Sequence, residues 1–223
     1  MFKFDTHIHT SETSHCGEIS AKETVRLYKE AGYDGICITD HYYKSYFENM
    51  GNISWEEKID IYLKGYKNAC TEGERVNLNI ILGTEITFVG SPNDYLIFGV
   101  TEEFLFENPE LYSYNMSDFR KLIDKYGMLI YQAHPFRPYI TPQLPIFLDG
   151  IEVYNANPRH NPRNELAYKY ALDNNLKMSS GSDCHQAGDV GRGGIITEER
   201  ITTSEELINI LISKQIELIQ ADD

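Results

Sequence analysis

Residues 2–15 read FKFDTHIHTSETSH, and this stretch decides the fold because a short apolar strand runs straight into a set of metal-ligating side chains. Side chains alternate between the two faces of a strand, so we expect Asp5, His7 and His9 to point to the same side. His15 follows after a polar loop. Neutral imidazoles bind zinc, manganese and iron, and a nearby carboxylate can orient such a ring from behind. The stretch therefore predicts half of a divalent-metal site, with Asp5 as an orienting group.

The composition is that of a globular protein with an acidic surface. The chain has 223 residues, of which 41% are hydrophobic, and we expect one large α/β domain over residues 1–223. Its net charge of −14 and the lack of a Lys/Arg cluster in the sequence disfavour nucleic acid and anionic membranes as partners. Since no apolar run reaches 18 residues, we expect no membrane span.

The four cysteines are Cys16, Cys37, Cys70 and Cys184, and they form neither a CxxC pair nor a disulfide-like pattern. A reducing compartment, the cytoplasm, therefore fits the sequence best. Cys16 and Cys184 each lie beside a candidate ligand. Because neighbouring side chains in a strand point to opposite faces, we expect neither thiol to bind metal.

Short apolar strands alternate with helical segments along the chain. Strands are predicted at residues 35–39 (GICIT), 78–82, 95–100 (YLIFGV), 128–132, 150–154 (GIEVY), 177–180, near 195 and at 216–219. Helices are predicted at residues 20–31, 54–70, 117–126, 163–174 and 204–213, and the second opens with a capping box of Ser54 and Glu57. This alternation favours a parallel sheet, either open or closed into a barrel.

Most histidines and two carboxylates lie directly after predicted strands. The positions are His7 and His9, His41, Glu85, His134, and Asp183 with His185. Of the seven histidines, six lie at or just beyond such strand ends, and His160 alone does not. In a (β/α) barrel the carboxyl ends of the strands converge on the face that carries the active site. The pattern therefore predicts a multinuclear metal centre on that face.

As a set, five short motifs resemble those of the PHP (polymerase and histidinol phosphatase) family. They are HIH at residues 7–9, TDH at 39–41, GTE at 83–85, AHP at 133–135 and SDCH at 182–185, in the family's order over nearly the whole chain. The resemblance implies a distorted (β/α)₇ barrel, similar to a TIM barrel, with two or three divalent metal ions (Zn, Mn or Fe) at the carboxyl ends of the strands. It also implies hydrolysis of phosphoric esters.

The resemblance also implies ligands for each metal. His7, His9, Glu85 and Asp183 resemble the ligands of one metal, Glu85 and His134 those of a second, and His15, His41 and His185 those of a third. The family often has a histidine before the strand that reads YLIFGV here, and this chain has Asp94 at that place. Asp94 is an acceptable hard ligand for the second metal, and the alternative is that it only caps a loop.

Phosphate binding and proton transfer need further groups. Arg137 follows a ligand strand in the sequence HPFR, and it is the first candidate for a phosphate clamp because a guanidinium matches phosphate in bidentate geometry. Arg159, Arg163 and Arg192 are further candidates for substrate binding. Asp40 is a candidate proton donor or a group that orients a ligand.

We therefore expect a metal-dependent phosphatase that hydrolyses a small phosphorylated metabolite, a phosphomonoester, with a metal-activated hydroxide. Histidinol phosphate is one candidate substrate, and the sequence selects none. A phosphodiesterase or exonuclease is an alternative that the missing basic patch disfavours. Metal-dependent amidohydrolases also begin with HxH, but they often bridge two metals with a carbamylated lysine, where this chain offers Glu85. The last alternative is a catalytically inactive metal-binding scaffold.

Overall fold

The computed structural model describes residues 1–213 and 215–221, which build a ten-stranded sheet surrounded by helices. The strands are β1 (Phe2–Ile8), β2 (Gly35–Ile38), β3 (His41–Tyr42), β4 (Asn79–Thr87), β5 (Asp94–Phe98), β6 (Leu129–Gln132), β7 (Gly150–Asn155), β8 (Lys177–Gly181), β9 (Gly193–Thr197) and β10 (Glu217–Gln220). The helices are α1 (Ala21–Glu30), α2 (Lys44–Glu48), α3 (Trp55–Tyr62), α4 (Lys64–Val76), α5 (Glu102–Glu107), α6 (Met116–Asp124), α7 (Asn164–Asp173) and α8 (Ser204–Ser213).

The sheet closes on itself at a seam between its first and eighth strands. The strand order is β10-β9-β1-β2-β4-β5-β6-β7-β8, and β3 pairs with β4. Cys184, which follows β8, forms a parallel bridge with Ile8 at the end of β1. The His9 N–H donates to the Cys184 carbonyl at 3.0 Å, and the Cys184 N–H donates to the His7 carbonyl at 3.3 Å. The predicted α/β class and TIM-like barrel are thereby confirmed.

Strand directions differ from the parallel sheet that the alternation predicts. β1, β2 and β4 pair in parallel, and so do β6, β7 and β8, but β5 runs antiparallel to both β4 and β6. The connection at residues 88–93 between β4 and β5 is too short for the crossover that parallel neighbours need. Because β5 runs in reverse, its first residue, Asp94, lies opposite Thr87 at the carboxyl end of β4.

Apolar side chains fill the barrel end that lies opposite Asp94. Phe4 of β1, Phe98 of β5 and Tyr131 of β6 form one buried cluster with side chains of α8. Burial of a side chain of this size stabilises the fold by about 1.5–3 kcal/mol. Ile208 of α8 lies against Gly99, directly after β5, so the helix covers this end. The other end of the barrel is left to the polar side chains at the strand termini.

The five predicted helices form with two departures, and two further short helices, α2 and α5, lie in segments for which no helix was predicted. The predicted capping box of Ser54 and Glu57 is complete in the structure, but residues 54–70 form two helices, α3 and α4, which meet at Leu63. α6 begins at Met116, one residue before the helix predicted at residues 117–126, because the Asn115 side chain caps it by accepting a hydrogen bond from the Asp118 N–H. Among the described residues, no helix combines the length and the apolar character needed to cross a bilayer.

Gly193 of β9 lies at a point of very close backbone approach to β8. A Cβ at this position would lie 2.3 Å from the carbonyl carbon of Gly181 and 2.5 Å from the Ser182 nitrogen. Gly193→Ala is therefore expected to lower the free energy of unfolding by about 1–3 kcal/mol, measured by urea denaturation. Gly188→Ala is the control, because a Cβ there would meet none of the described atoms within 4 Å. An equal loss in both variants would contradict the prediction.

Candidate metal centre

The buried carboxylate of Glu85, in β4, lies at the centre of a cluster of imidazoles. Its Oε1 atom lies 3.3 Å from His7 Nε2 and 3.1 Å from His134 Nε2. Its Oε2 atom lies 3.3 Å from His9 Nε2 and 2.8 Å from His41 Nδ1. Each oxygen of Glu85 therefore faces a different pair of rings, which is the arrangement that a carboxylate bridging two ions requires.

Asp183, two residues after β8, joins the cluster across the barrel seam. Its Oδ1 atom lies 3.5 Å from His7 Nε2, 3.3 Å from His9 Nε2 and 3.4 Å from His185 Nδ1. The φ angles of Asp183 and His134 are 50° and 29°, in a region that non-glycine residues rarely adopt. Such strained backbone concentrates at functional sites, where the surrounding structure holds it in place.

The side chains fit divalent ions. Four groups each bring ligand atoms within 4.8 Å of one another, namely His7–His9–Glu85, His7–His134–Asp183, Glu85–Asp94–His134, and His9–Cys16–His41–His185. The ligand atoms of one tetrahedral zinc ion lie roughly 3.3–3.6 Å apart. The Nε2 atoms of His7 and His9 lie 3.1 Å from each other and 3.3–3.5 Å from the nearest carboxylate oxygens of Glu85 and Asp183, which is close to that spacing. Glu85 Oε2 is buried and accepts no well-directed hydrogen bond from the described residues, which is costly unless a cation lies beside it.

The charges within the cluster favour the ionised form of its central carboxylate, which is the form that binds a cation. Burial disfavours the charged ring of His7, but carboxylates, Glu152 first among them, outweigh this and raise its pKa well above the ordinary value. Burial and repulsion from His41 lower the pKa of His9 well below its ordinary value. Although burial opposes ionisation of Glu85, the rings of His7 and His41 hold its pKa well below the usual range. A cation that binds here therefore meets an ionised Glu85 and displaces a proton from His7.

Glu152 of β7 orients His7, and it is absent from the set predicted from the sequence. Its Oε1 atom lies 2.8 Å from His7 Nδ1, which leaves Nε2 of that ring free to face an ion. Its Oε2 atom accepts hydrogen bonds of 2.9 Å from the His134 N–H and from the Asn155 amide. The available signal was a glutamate inside the apolar strand GIEVY, because charged side chains are rarely fully buried unless they are paired.

Asp40 and Ser14 orient His9. The Ser14 hydroxyl donates to Asp40 Oδ1 at 2.7 Å and lies 3.2 Å from His9 Nδ1. Asp40 also accepts hydrogen bonds of 2.7 Å from the N–H and from the hydroxyl of Thr10. Since both carboxylate oxygens of Asp40 are engaged, this geometry favours the orienting role over that of a proton donor.

Asp5 does not share the face of His7, because the pairing register of β1 shifts after Asp5 and breaks the strict alternation. Its Oδ2 atom accepts a hydrogen bond of 2.7 Å from the Tyr28 hydroxyl on α1. Its Oδ1 atom accepts hydrogen bonds from the backbone N–H groups of His7 and Ser182, at 3.2 and 3.1 Å. Asp5 therefore supports the backbone of two ligand segments and contacts neither ring.

The structure assembles only part of the third predicted ligand set. The rings of His41 and His185 stack on His9 at centroid distances of 4.3 and 4.4 Å. His15 is exposed and lies outside this group, whereas Cys16 lies within it. Residues 15–16 form a turn, so the strand alternation that predicts a bystander thiol does not apply. Burial raises the pKa of Cys16, but hydrogen bonds from His185 and His41 outweigh this and lower it to about 7.

Asp94 lies where the second predicted site needs a ligand. Its Oδ2 atom is 3.9 Å from His134 Nε2, and its Oδ1 atom accepts a hydrogen bond of 2.5 Å from the Thr87 hydroxyl. Burial and the nearby charge of Glu85 raise its pKa. The reversed direction of β5 brings this carboxylate to the face where the parallel strands end.

Arg137 lies directly against the cluster. Its Nη2 atom donates to Asp183 Oδ2 and, at 2.9 Å, to Asn155 Oδ1. Its Nε atom is buried and has no hydrogen-bond partner in the described part of the chain. The guanidinium therefore supports Asp183 and keeps donor capacity for a further anion.

Arg159 has a structural partner. Its two terminal nitrogens each donate to a different oxygen of Asp189, both at 2.7 Å. Asp189 is buried and accepts hydrogen bonds from the His185 and Gln186 N–H groups, at 2.9 and 3.1 Å. This pair fixes the turn that carries His185, so Arg159 is less available to a substrate than the sequence suggests.

A cavity of about 730 Å³ opens beside the cluster. Its lining includes Asn155, Asn157, His160, Arg163 and Arg192. The amide nitrogens of Asn155 and Asn157 lie 3.3 and 3.4 Å from Asp183 Oδ2, so the two asparagines border both the cavity and the ligand set. Two of the arginines predicted to bind substrate, Arg163 and Arg192, thus line the same cavity next to the ligand residues.

Comparisons with known proteins agree with this fold. Residues 161–215 match the family described as PHP-associated (PHP_C). The curated proteins gave no match to this chain.

Similar solved structures cover almost the whole chain. A two-domain protein from Bacteroides vulgatus contains a predicted PHP-like metal-dependent phosphoesterase. It is 21% identical to this chain with a TM-score of 0.69, and the match covers 99% of this chain and 65% of that protein. PsfC from Pseudomonas syringae is 17% identical with a TM-score of 0.70, covering 99% of this chain and 91% of PsfC. An amidohydrolase from Chromobacterium violaceum, with bound sulfate and no metal, is 16% identical with a TM-score of 0.58, covering 99% and 98%. These likenesses show the fold.

Removing the charge of Glu152 tests its orienting role. Glu152→Gln keeps the size of the side chain but weakens the contact with His7 Nδ1, so the affinity for Zn²⁺ is expected to fall about 10–100-fold. A competition titration against a chromophoric chelator measures this affinity. Glu30→Gln, at the exposed end of α1, is the matched control and should leave the affinity unchanged. An unchanged affinity in Glu152→Gln would remove the assigned role.

Proposed function

The chain has a PHP-like fold, as its motifs predict, and on that premise we propose that it is a metal-dependent phosphatase acting on a small phosphomonoester. A metal-dependent hydrolase agrees with the ligand groups and with the fold of the similar structures. The narrower proposal, that the substrate is a phosphomonoester, is based on the cavity beside the ligand cluster.

The observation that carries the proposal is the junction between the ligand cluster and the cavity. Arg163 and Arg192 line this cavity, and Asn155 and Asn157 connect it to Asp183. Its volume of about 730 Å³ suits a small metabolite, since such sites usually measure about 300–1,000 Å³. The two arginines outnumber the one acidic residue of the lining, Glu165, and this excess of positive charge in a chain of net charge −14 favours an anionic substrate.

The residues of the cluster supply positions for at least two ions. His7, His9, Glu85 and Asp183 would hold one, and Glu85, Asp94 and His134 would hold a second. Divalent ions in such a centre polarise a phosphoryl group and generate a nucleophile from water at neutral pH. The protein contributes the orientation of the ligands, because Glu152 fixes His7 while Ser14 and Asp40 fix His9.

Arg137 is the residue best placed to bind the phosphoryl group. It contacts Asp183 through one nitrogen, its Nε atom lacks a partner among the described residues, and its side chain is 14% exposed. The remaining N–H groups can donate to phosphate oxygens next to the ligands, where a charge-assisted hydrogen bond is strong. Arg163 and Arg192 can bind the rest of the substrate if that part is anionic as well.

An amidohydrolase is the second candidate, because the Chromobacterium violaceum structure has this fold. Two observations support phosphate ester hydrolysis instead. Glu85 has two imidazoles beside each carboxylate oxygen, as a bridging ligand would, and the two lysines of the described strands, Lys3 and Lys177, lie near the starts of β1 and β8, away from the carboxyl ends. The same amidohydrolase structure holds sulfate, a tetrahedral oxyanion similar in shape to phosphate.

The substrate class is tested with a phosphomonoester and its matched phosphodiester in the presence of Mn²⁺. We expect faster hydrolysis of the monoester, because the arginine-lined cavity beside the ligands suits a terminal phosphate, and loss of activity after treatment with a chelator. Steady-state rates for both esters and for an N-acyl amino acid provide the comparison. A preference for the diester or for the amide would overturn the proposal.

Arg137→Ala tests the phosphate contact. Loss of a charge-assisted hydrogen bond is worth about 1.5–3 kcal/mol, so kcat/KM for the phosphomonoester is expected to fall about 10–100-fold. The metal content of the variant is measured in parallel, because Arg137 also contacts Asp183. Arg75→Ala, whose side chain on α4 is 62% exposed, is the control. An unchanged kcat/KM in a fully metallated Arg137→Ala variant would exclude the contact.

A further inference from the structure

We propose that Cys16, and not His15, is the third ligand of a metal position that it forms with His41 and His185. The inference deepens the proposed function, because this position belongs to the same metal centre. A thiolate among the ligands gives the position a preference for zinc over manganese, since sulfur is a soft ligand and Mn²⁺ favours oxygen.

The first step is the geometry of the group. The Cys16 sulfur and one ring nitrogen each of His9, His41 and His185 lie within 4.8 Å of one another. His9 Nε2 also lies 3.3 Å from a Glu85 oxygen, and its Nδ1 faces Ser14, so that ring belongs with the first ion. Cys16, His41 and His185 remain as three protein ligands, the number that is typical of a zinc site with one open position.

A second observation points to a cation at this place. Glu85 Oε2 is buried and accepts no well-directed hydrogen bond from the described residues, although it lies 2.8 Å from His41 Nδ1. A buried anionic oxygen is costly when its contacts, here with His41 and His9, are not well-directed hydrogen bonds. An ion held by His41 and its neighbours would lie within reach of this oxygen.

The path of the backbone explains why the cysteine takes this place. The Gly17 N–H donates to the Ser14 carbonyl at 2.9 Å, and the Glu18 N–H donates to the His185 carbonyl at 2.7 Å. A Cβ at Gly17 would lie 2.7 Å from the Thr10 carbonyl carbon, so the loop folds back tightly on itself. These contacts hold residue 16 beside His185.

His15 has a different surrounding from its neighbour. Both residues are exposed, but the His15 ring lies 6.1 Å from the ring of Tyr46, on α2, and outside the group that contains Cys16. Because Cys16 occupies the group in its place, loss of the His15 imidazole should leave the metal position intact.

The test uses Co²⁺ as the probe, because a cobalt–thiolate bond gives an intense charge-transfer absorption in the near ultraviolet. The Co²⁺-loaded full chain should show this band, Cys16→Ser should lose it, and His15→Ala should keep it. Cys70→Ser, on α4, is the matched cysteine control and should also keep the band. A band that persists in Cys16→Ser, or that is lost in His15→Ala, would overturn the assignment.

A second measurement covers the case in which Cys16→Ser does not fold. In the wild-type chain, alkylation of Cys16 by iodoacetamide, followed by mass spectrometry, should be slowed at least tenfold by Zn²⁺ and much less by Mn²⁺. Equal rates with and without Zn²⁺ would overturn the proposal. Both readouts are independent of turnover, so an absent phosphatase activity with a Cys16-dependent band refutes only the proposed function.

Discussion

The hydrogen bonds that join the end of β1 to Cys184 are the constraint on which the rest of the structure depends. They bring His7 and His9, at the end of the first strand, next to Asp183 and His185, which follow the eighth strand. Without this seam the sheet would be open, and β8, at one edge, would be separated from β1 by five strands. The metal centre is therefore a product of barrel closure and not of any single loop.

Closure creates an electrostatic requirement that the surrounding residues meet. Several carboxylates are buried at one barrel end, and each is costly there unless it is paired or hydrogen-bonded. Glu152 and Asp40 are satisfied by rings, hydroxyls and backbone N–H groups, so they act as fixed supports. Glu85 keeps one oxygen without a well-directed donor. Asp183 and Asp94 combine both roles, because each accepts hydrogen bonds with one oxygen and faces imidazole nitrogens with the other.

Much of the fold and the ligand set follows from strand periodicity and from the strand-end positions of His7, His9, His41, Glu85 and Asp183. Three features could not be predicted in this way. The reversal of β5 depends on the short connection to β4, the register shift in β1 turns Asp5 away, and the turn at residues 15–16 exchanges a histidine for a cysteine. Each is a local break in regular geometry, and periodicity carries no information about such breaks. The sequence shows Glu152 as a charged residue inside an apolar strand, but it does not show that His7 is its partner.

The seam also has a consequence for biosynthesis. His7 and Cys184 are 177 residues apart, so a ribosome that works from the amino end exposes the HxH pair long before the residues that complete it. During that interval the nascent chain carries two imidazoles and, soon after, an accessible thiol, which together can chelate metal without any barrel around them. Premature capture of an ion would hold β1 in a non-native arrangement, and pairing over such a distance is slow to form. The complete ligand set therefore exists only after the residues around Cys184 have been synthesised and the seam has closed.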